Sequence, residues 1–177
     1  QENSASLAAT NLALLVSPRP TRQRSLAEQG KLLTHQKDTA VLTLMNLESV
    51  LERDFEVVRP EMSLGEMVGV ISVSHRNSFP VVDDRGMLVG IVELDNVRNI
   101  MFRPELYDRY KVRKIMVTPE VKISASMPMT EVMRLFDETK AWKMPVVDDE
   151  GRYLGFISKS AIFNSYREVL NGTFIGD

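Results

Sequence analysis

The sequence predicts an α+β fold of two equivalent repeats related by a pseudo-twofold axis, and three observations predict it. First, residues 50–99 lie over residues 115–164 without a gap at a constant offset of 65, with identities that include Met62/Met127, Glu66/Glu131, Pro80/Pro145 and Gly90/Gly155. Second, the apolar phase repeats. Leu64, Met67, Val68 and Ile71 fall at the spacing of a helix with one apolar face, and Met129, Val132, Met133 and Phe136 repeat it. Third, each copy carries Asp-Asp-x-Gly between two short apolar runs, the mark of a hairpin.

Each copy reads strand, helix, strand, strand, helix. The β-branched runs Phe55-Glu56-Val57-Val58 and Val121-Lys122-Ile123 predict the opening strands. Ser63-Leu64-Gly65-Glu66 has the spacing of a capping box, and Pro128 stands where a first-turn proline is tolerated, so both mark helix starts. Pro80-Val81-Val82 and Pro145-Val146-Val147 read as buried strands running into turns in which Gly86 and Gly151 can take a positive φ. The returning strands over 87–92 and 152–157 each hold a central glycine, and helices follow near 94–101 and 159–170. This divides the chain into an N-terminal helical or extended linker (1–45), a first repeat (46–102), a charged link with Pro104 as helix stop (103–113), a second repeat (114–170) and a tail (171–177). A unit of about 55 residues is marginal alone, so the copies are expected to pack as one module through their helical stripes.

Composition narrows the chemistry. The 177 residues include no cysteine, two histidines, and 22 Lys+Arg against 24 Asp+Glu. A disulfide framework, a thiolate metal site and a cysteine nucleophile are excluded, and a net charge of −2 supplies no basic field for nucleic acid. No apolar run reaches the roughly 18 residues of a spanning helix. The chain opens at Gln1, which suits a piece of a longer protein; the apolar stretch to Val16 reads as a docked helix, and Arg19, Arg22, Arg24, Lys31 and Lys37 follow as a mildly basic segment. His35 and His75 are solitary, and Asp83-Asp84 and Asp148-Asp149 suit turns better than acid–base work. Trp142, between Lys140 and Lys143, reads as packing at a helix end. With no Gly-rich phosphate loop and no Ser-His-Asp set, the chain does not read as an enzyme, and no metal site is expected.

The paired Phe-Pro-Val-Val-Asp-Asp-x-Gly and Met-Pro-Val-Val-Asp-Asp-x-Gly motifs, each followed by an apolar strand with Gly90 or Gly155, resemble the CBS domain family. The resemblance covers both repeats and implies a tandem regulatory pair, commonly dimeric, attached to an enzyme, transporter or channel. Upstream, the segment from Leu26 to His35 and Val41-Leu42-Thr43-Leu44-Met45 is similar to the stretch that joins the last membrane helix to the CBS pair in prokaryotic ClC-type chloride channels and transporters. That likeness implies a cytosolic domain at the inner face of the membrane, biasing the gate of a transmembrane partner. The alternative is an adenine-nucleotide-sensing CBS module, free-standing or attached to another transporter or enzyme. A regulatory insert of a nucleotide-metabolising enzyme is a third reading, opposed by the lack of a surrounding barrel or catalytic loop.

Many CBS pairs hold adenine nucleotides (ATP, ADP or AMP) through Gly-x-x-Ser/Thr-x-x-Asp/Asn, where the hydroxyl meets phosphate and the last residue holds the ribose. The first copy offers Asn96 for the ribose but sets Glu93 where the hydroxyl belongs, a charge that repels phosphate. The second offers Ser158, with Lys159 beside it, but Ala161 cannot bond a ribose. Phe79-Pro80 and Met144-Pro145 are the expected apolar walls, and Thr118 completes the candidate set. A hydrogen bond to a charged group contributes about 1.5–3 kcal/mol, so each loss weakens binding roughly tenfold or more. These clefts read first as a purely structural pair, and any nucleotide binding is expected to be weak and lopsided. For self-association into a homodimer, Val97, Ile100, Met101, Ile162, Phe163 and Tyr166 form the expected surface.

Overall fold

Local rules set the elements of the computed structural model, which describes residues 38–174. The readings placed on residues 1–37, including His35, the basic segment and the stretch from Leu26 to His35, lie outside the described residues, as does the tail beyond 174. Helix α1 covers 38–44 and is followed by the short α2, Leu47–Val50, capped by the Asn46 side chain. Ser63 caps α3, Leu64–Val73, by accepting the Glu66 N–H at 3.1 Å, as the capping-box spacing predicts. Strands β1 (Ser78–Val82) and β2 (Leu88–Glu93) form a hairpin that runs directly into α4, Leu94–Val97. A 3₁₀ turn at Pro104–Leu106 leads to α5, Val112–Ile115.

The second copy repeats the plan. Strand β3 (Ile123–Ser124) precedes α6 (Met129–Thr139), which starts at Pro128; β4 (Lys143–Val147) and β5 (Tyr153–Ser158) pair antiparallel; α7 (Lys159–Phe174) follows. Both hairpins turn on an aspartate. The Asp83 carboxylate accepts from the Arg85 and Met87 N–H groups at 2.9 Å each, and Asp148 accepts from Glu150 and Arg152 at 3.0 and 2.8 Å. Gly86 and Gly151 take φ of 82° and 88°, as the turn requires.

Two expected strands shrink. The run Phe55 to Val58 supplies one bridge, Val58 to Val81, because the Phe55 ring turns aside to stack 4.5 Å from Phe156 and Val57 stays exposed. Its counterpart is the two-residue β3, parallel to β4. The helix after β2 is also shorter than expected, ending at Val97, whereas α7 runs on to Phe174.

The repeats exchange their lead segments. Glu52, in the opening segment of the first repeat, bridges Phe156 in β5; Val117, in the opening segment of the second, bridges Ile91 in β2, and each pair is the other shifted by 65 (52 to 117, 91 to 156). Helices α2 and α5 are equivalent by the same shift, and each enters the opposite core. Leu47 and Val50 pack with Ile123, Phe136, Met144 and Ile157, while Val112 packs with Val58, Met67, Phe79 and Val92. Gly90 and Gly155 admit these crossings: a Cβ at Gly90 would sit 2.6 Å from Met116 Sδ, and one at Gly155 would sit 2.5 Å from the Glu52 carbonyl oxygen. On the pseudo-twofold axis, Met87 bridges its own counterpart, Arg152. The module is therefore joined by exchanged leads, and the amphipathic stripes of α3 and α6 fill their own repeats' cores.

The proposed self-association surface divides accordingly. Val97 and Ile162 are 0% and 2% exposed and belong to the two cores, because the first turn of each helix after the hairpin must pack onto its own sheet. Phe163, at 60%, remains exposed. Trp142 also departs from expectation: it is 79% exposed, with the Lys159 ammonium 5.5 Å from its ring.

Candidate functional site

Strand β5 hands over to α7 at Ser158, and this junction carries the polar chemistry. The Ser158 hydroxyl accepts the Ala161 N–H at 3.1 Å, capping the helix, and donates to Glu52 Oε1 at 2.8 Å. Glu52 is held by its own backbone, which exchanges both hydrogen bonds with Phe156, at 2.8 and 2.9 Å. Its second carboxylate oxygen lies 3.3 Å from Arg76 Nη1, and the two side chains are 32% and 31% exposed. Arg76 is fixed from three sides: Nε donates to the Asp54 carbonyl at 2.7 Å, Nη2 lies 3.8 Å from the Asp54 carboxylate, and the guanidinium covers the Phe55 ring at 4.1 Å. Lys143, paired in register with Ser158, adds a second cation 5.9 Å from the same ring. Tyr153 Oη is buried nearby without a hydrogen-bond partner; burial pushes its phenol up, while the charge of Arg76 pulls it the other way.

Sequence reasoning named Ser158 and Ala161 and missed Glu52 and Arg76. Both lie within the repeat, but their equivalents are Val117 and Ala141, so no shared residue type marks them, and only the exchanged lead brings Glu52 to Ser158. Ala161 contributes its backbone N–H and packs its methyl against the second core.

The first repeat holds a different arrangement. Glu93, equivalent to Ser158, accepts a 2.5 Å hydrogen bond from Ser78 Oγ, whose residue is fully buried. Asn96 is exposed on α4, and Thr118 is exposed beside Val117. Val117 and Ala141 stand where the second site has Glu52 and Arg76, so the first site lacks both the ion pair and the serine. The structure does not bring the expected walls to either site. Phe79 and Met144 lie in the cores at 0% and 3% exposure, and Pro80 and Pro145 are buried within their strands.

An open groove of about 470 Å³ runs between residues 42–47 and 125–130, away from both sites. No charged side chain lines it, so it supplies no cation to pair with a phosphate. Among the described residues, no helix is long and apolar enough to cross a membrane, and no three His, Cys, Asp or Glu side chains gather as a metal site.

Comparison with known proteins agrees with the repeat. The CBS domain family model matches residues 47–103 and again 112–168. The chain is 28% identical over 137 residues to an inosine-5'-monophosphate dehydrogenase of Methanocaldococcus jannaschii, a match spanning 77% of this chain and 25% of that protein's length. Two solved structures share the fold at 14% identity: CbpB in complex with c-di-AMP, with a TM-score of 0.66 over 80% of this chain and 97% of that one, and the CBS domain of the bacterial CNNM/CorC family Mg2+ transporter in complex with ATP, with a TM-score of 0.63 over 78% and 97%. With both repeats matched and their exchanged leads in place, the chain belongs to the CBS domain family.

Proposed function

We propose that this CBS pair is a regulatory adenine-nucleotide sensor, with the second site as its ligand position, acting on whatever catalytic or transport unit it is attached to. The observation that carries this reading is Arg76: a partly exposed guanidinium, held in one orientation, beside the serine expected to meet a phosphate. The likeness to CBS domains solved with ATP and with c-di-AMP supports it. Regulation would follow from ligand binding across the exchanged leads, since Glu52 belongs to one lead and Ser158 to the opposite repeat. A coupling of about 1–3 kcal/mol suffices for such control.

Attachment to a ClC-type transporter at the cytoplasmic face of the inner membrane is the narrower form of this reading. The relatives above favour a broader one, since they include a dehydrogenase and the CBS domain of a Mg2+ transporter. Working as a homodimer belongs to the same proposal, with Phe163 exposed at its surface; sedimentation giving only a 20.1 kDa monomer at tens of micromolar would count against it.

Titration calorimetry with adenosine, AMP, ADP and ATP tests the function. The expected result is one weak site, on the order of 0.1–1 mM, because Ala161 leaves the ribose unheld. Heat absent for all four ligands would overturn the sensor, and low-micromolar ATP binding would place the ligand elsewhere.

A further inference from the structure

We propose that Glu52 is a built-in competitor at the second site: its carboxylate occupies the anion position between Ser158 and Arg76, and a phosphate group binds only by replacing it. This rests on the nucleotide reading above and adds a residue that sets its specificity. The Ser158 hydroxyl has one proton, and that proton goes to Glu52 Oε1 at 2.8 Å, while its lone pairs take the Ala161 N–H. A phosphate oxygen therefore cannot bond Ser158 until the carboxylate leaves. Arg76 is in the same position. Its Nε is committed to the Asp54 carbonyl and its face to Phe55, so the Nη1 edge toward Glu52 is the edge that can meet an anion.

The geometry also says how exchange occurs. The Glu52 backbone is pinned to Phe156 by two hydrogen bonds, so its carboxylate can leave by side-chain rotation while the bridge stays closed. Partial burial of both charges keeps their interaction from being fully screened. A ligand with several phosphate charges replaces one carboxylate more readily than a monophosphate does, and an uncharged nucleoside gains nothing from the exchange. The first site has no such competitor, because Val117 stands at the position of Glu52. Exchange frees the Glu52 side chain two residues beyond α2, so ligand entry releases part of the lead's hold on the opposite repeat.

Calorimetric titration of adenosine, AMP, ATP and inorganic pyrophosphate into the wild type, Glu52→Gln, Glu52→Val and Arg76→Ala at fixed ionic strength tests this. Both Glu52 variants keep the backbone bridge, and valine copies the first repeat; far-UV circular dichroism confirms that each is folded. The expected result is about a tenfold tighter affinity for AMP and ATP in both Glu52 variants, unchanged adenosine, and loss of the phosphate-dependent part in Arg76→Ala. Unchanged or weaker phosphate binding in the Glu52 variants overturns the competitor and leaves the nucleotide reading standing. Nucleotide binding by the Glu52 variants but not by the wild type supports the competitor and ends the wild type's role as a sensor. Absence of binding in every protein overturns both.

Discussion

Tyr153 buries its phenol oxygen without a hydrogen-bond partner, on the strand that ends at Ser158. A desolvated, unpaired hydroxyl costs about 1–3 kcal/mol, so Tyr153→Phe should leave stability equal or raise it by about 1 kcal/mol. The same burial raises its pKa above the ordinary value of 10.0. The unfolded chain therefore loses this proton first, and the contribution present below pH 10 is lost as pH rises beyond it. Urea unfolding at pH 8 and pH 11 should show a larger alkaline loss in the wild type than in Tyr153→Phe, and equal losses would refute the assignment. At this scale the family motif laid over the repeat pointed to Ser158 and Glu93 as equivalent positions. It could not show Glu52 or Arg76, since a salt bridge between a lead segment and a loop leaves no spacing to read.

Gly90 and Gly155 occupy equivalent places on β2 and β5, yet different atoms crowd them. A methyl at Gly155 meets the Glu52 carbonyl, itself held by the Phe156 N–H at 2.9 Å, whereas a methyl at Gly90 meets the flexible Met116 side chain. Overpacking costs about 1–3 kcal/mol, so Gly155→Ala should fall at the upper end and Gly90→Ala at the lower, measured by denaturant unfolding. A reversed order would mean that the Glu52 bridge is soft. The hairpins, the caps at Ser63 and Pro128 and the phase of α3 and α6 were legible because they follow from periodicity and from local hydrogen bonding. The opening strand at Phe55 was overread, since β-branched composition counts for less than the aromatic stacking that draws Phe55 toward Phe156.

The exchange of leads makes the pair one object. Leu47 opens the first repeat but is 5% exposed within the second repeat's core, so Leu47→Ala should cost about 2–5 kcal/mol. Hydrogen exchange in that variant should rise in β4 and β5 before β1 and β2; loosening confined to β1 and β2 would contradict the exchange. Each repeat keeps a core of its own that the other repeat's lead helix completes, so the two units are joined through exchanged leads and not, as expected, through helical stripes facing the neighbouring copy. The route was hidden, because it depends on the single-residue bridges at Glu52 and Val117, which a pattern of apolar residues cannot reveal. The central claim is that an adenine nucleotide binds where the first repeat's lead meets the β5–α7 junction, and an amide chemical-shift map of the chain titrated with ATP tests it most directly. The largest changes are expected on residues 52–55, 76, 142–144 and 158–161, with little at 93–96. Changes centred on the groove at 42–47 and 125–130, or none at saturating ATP, would contradict it.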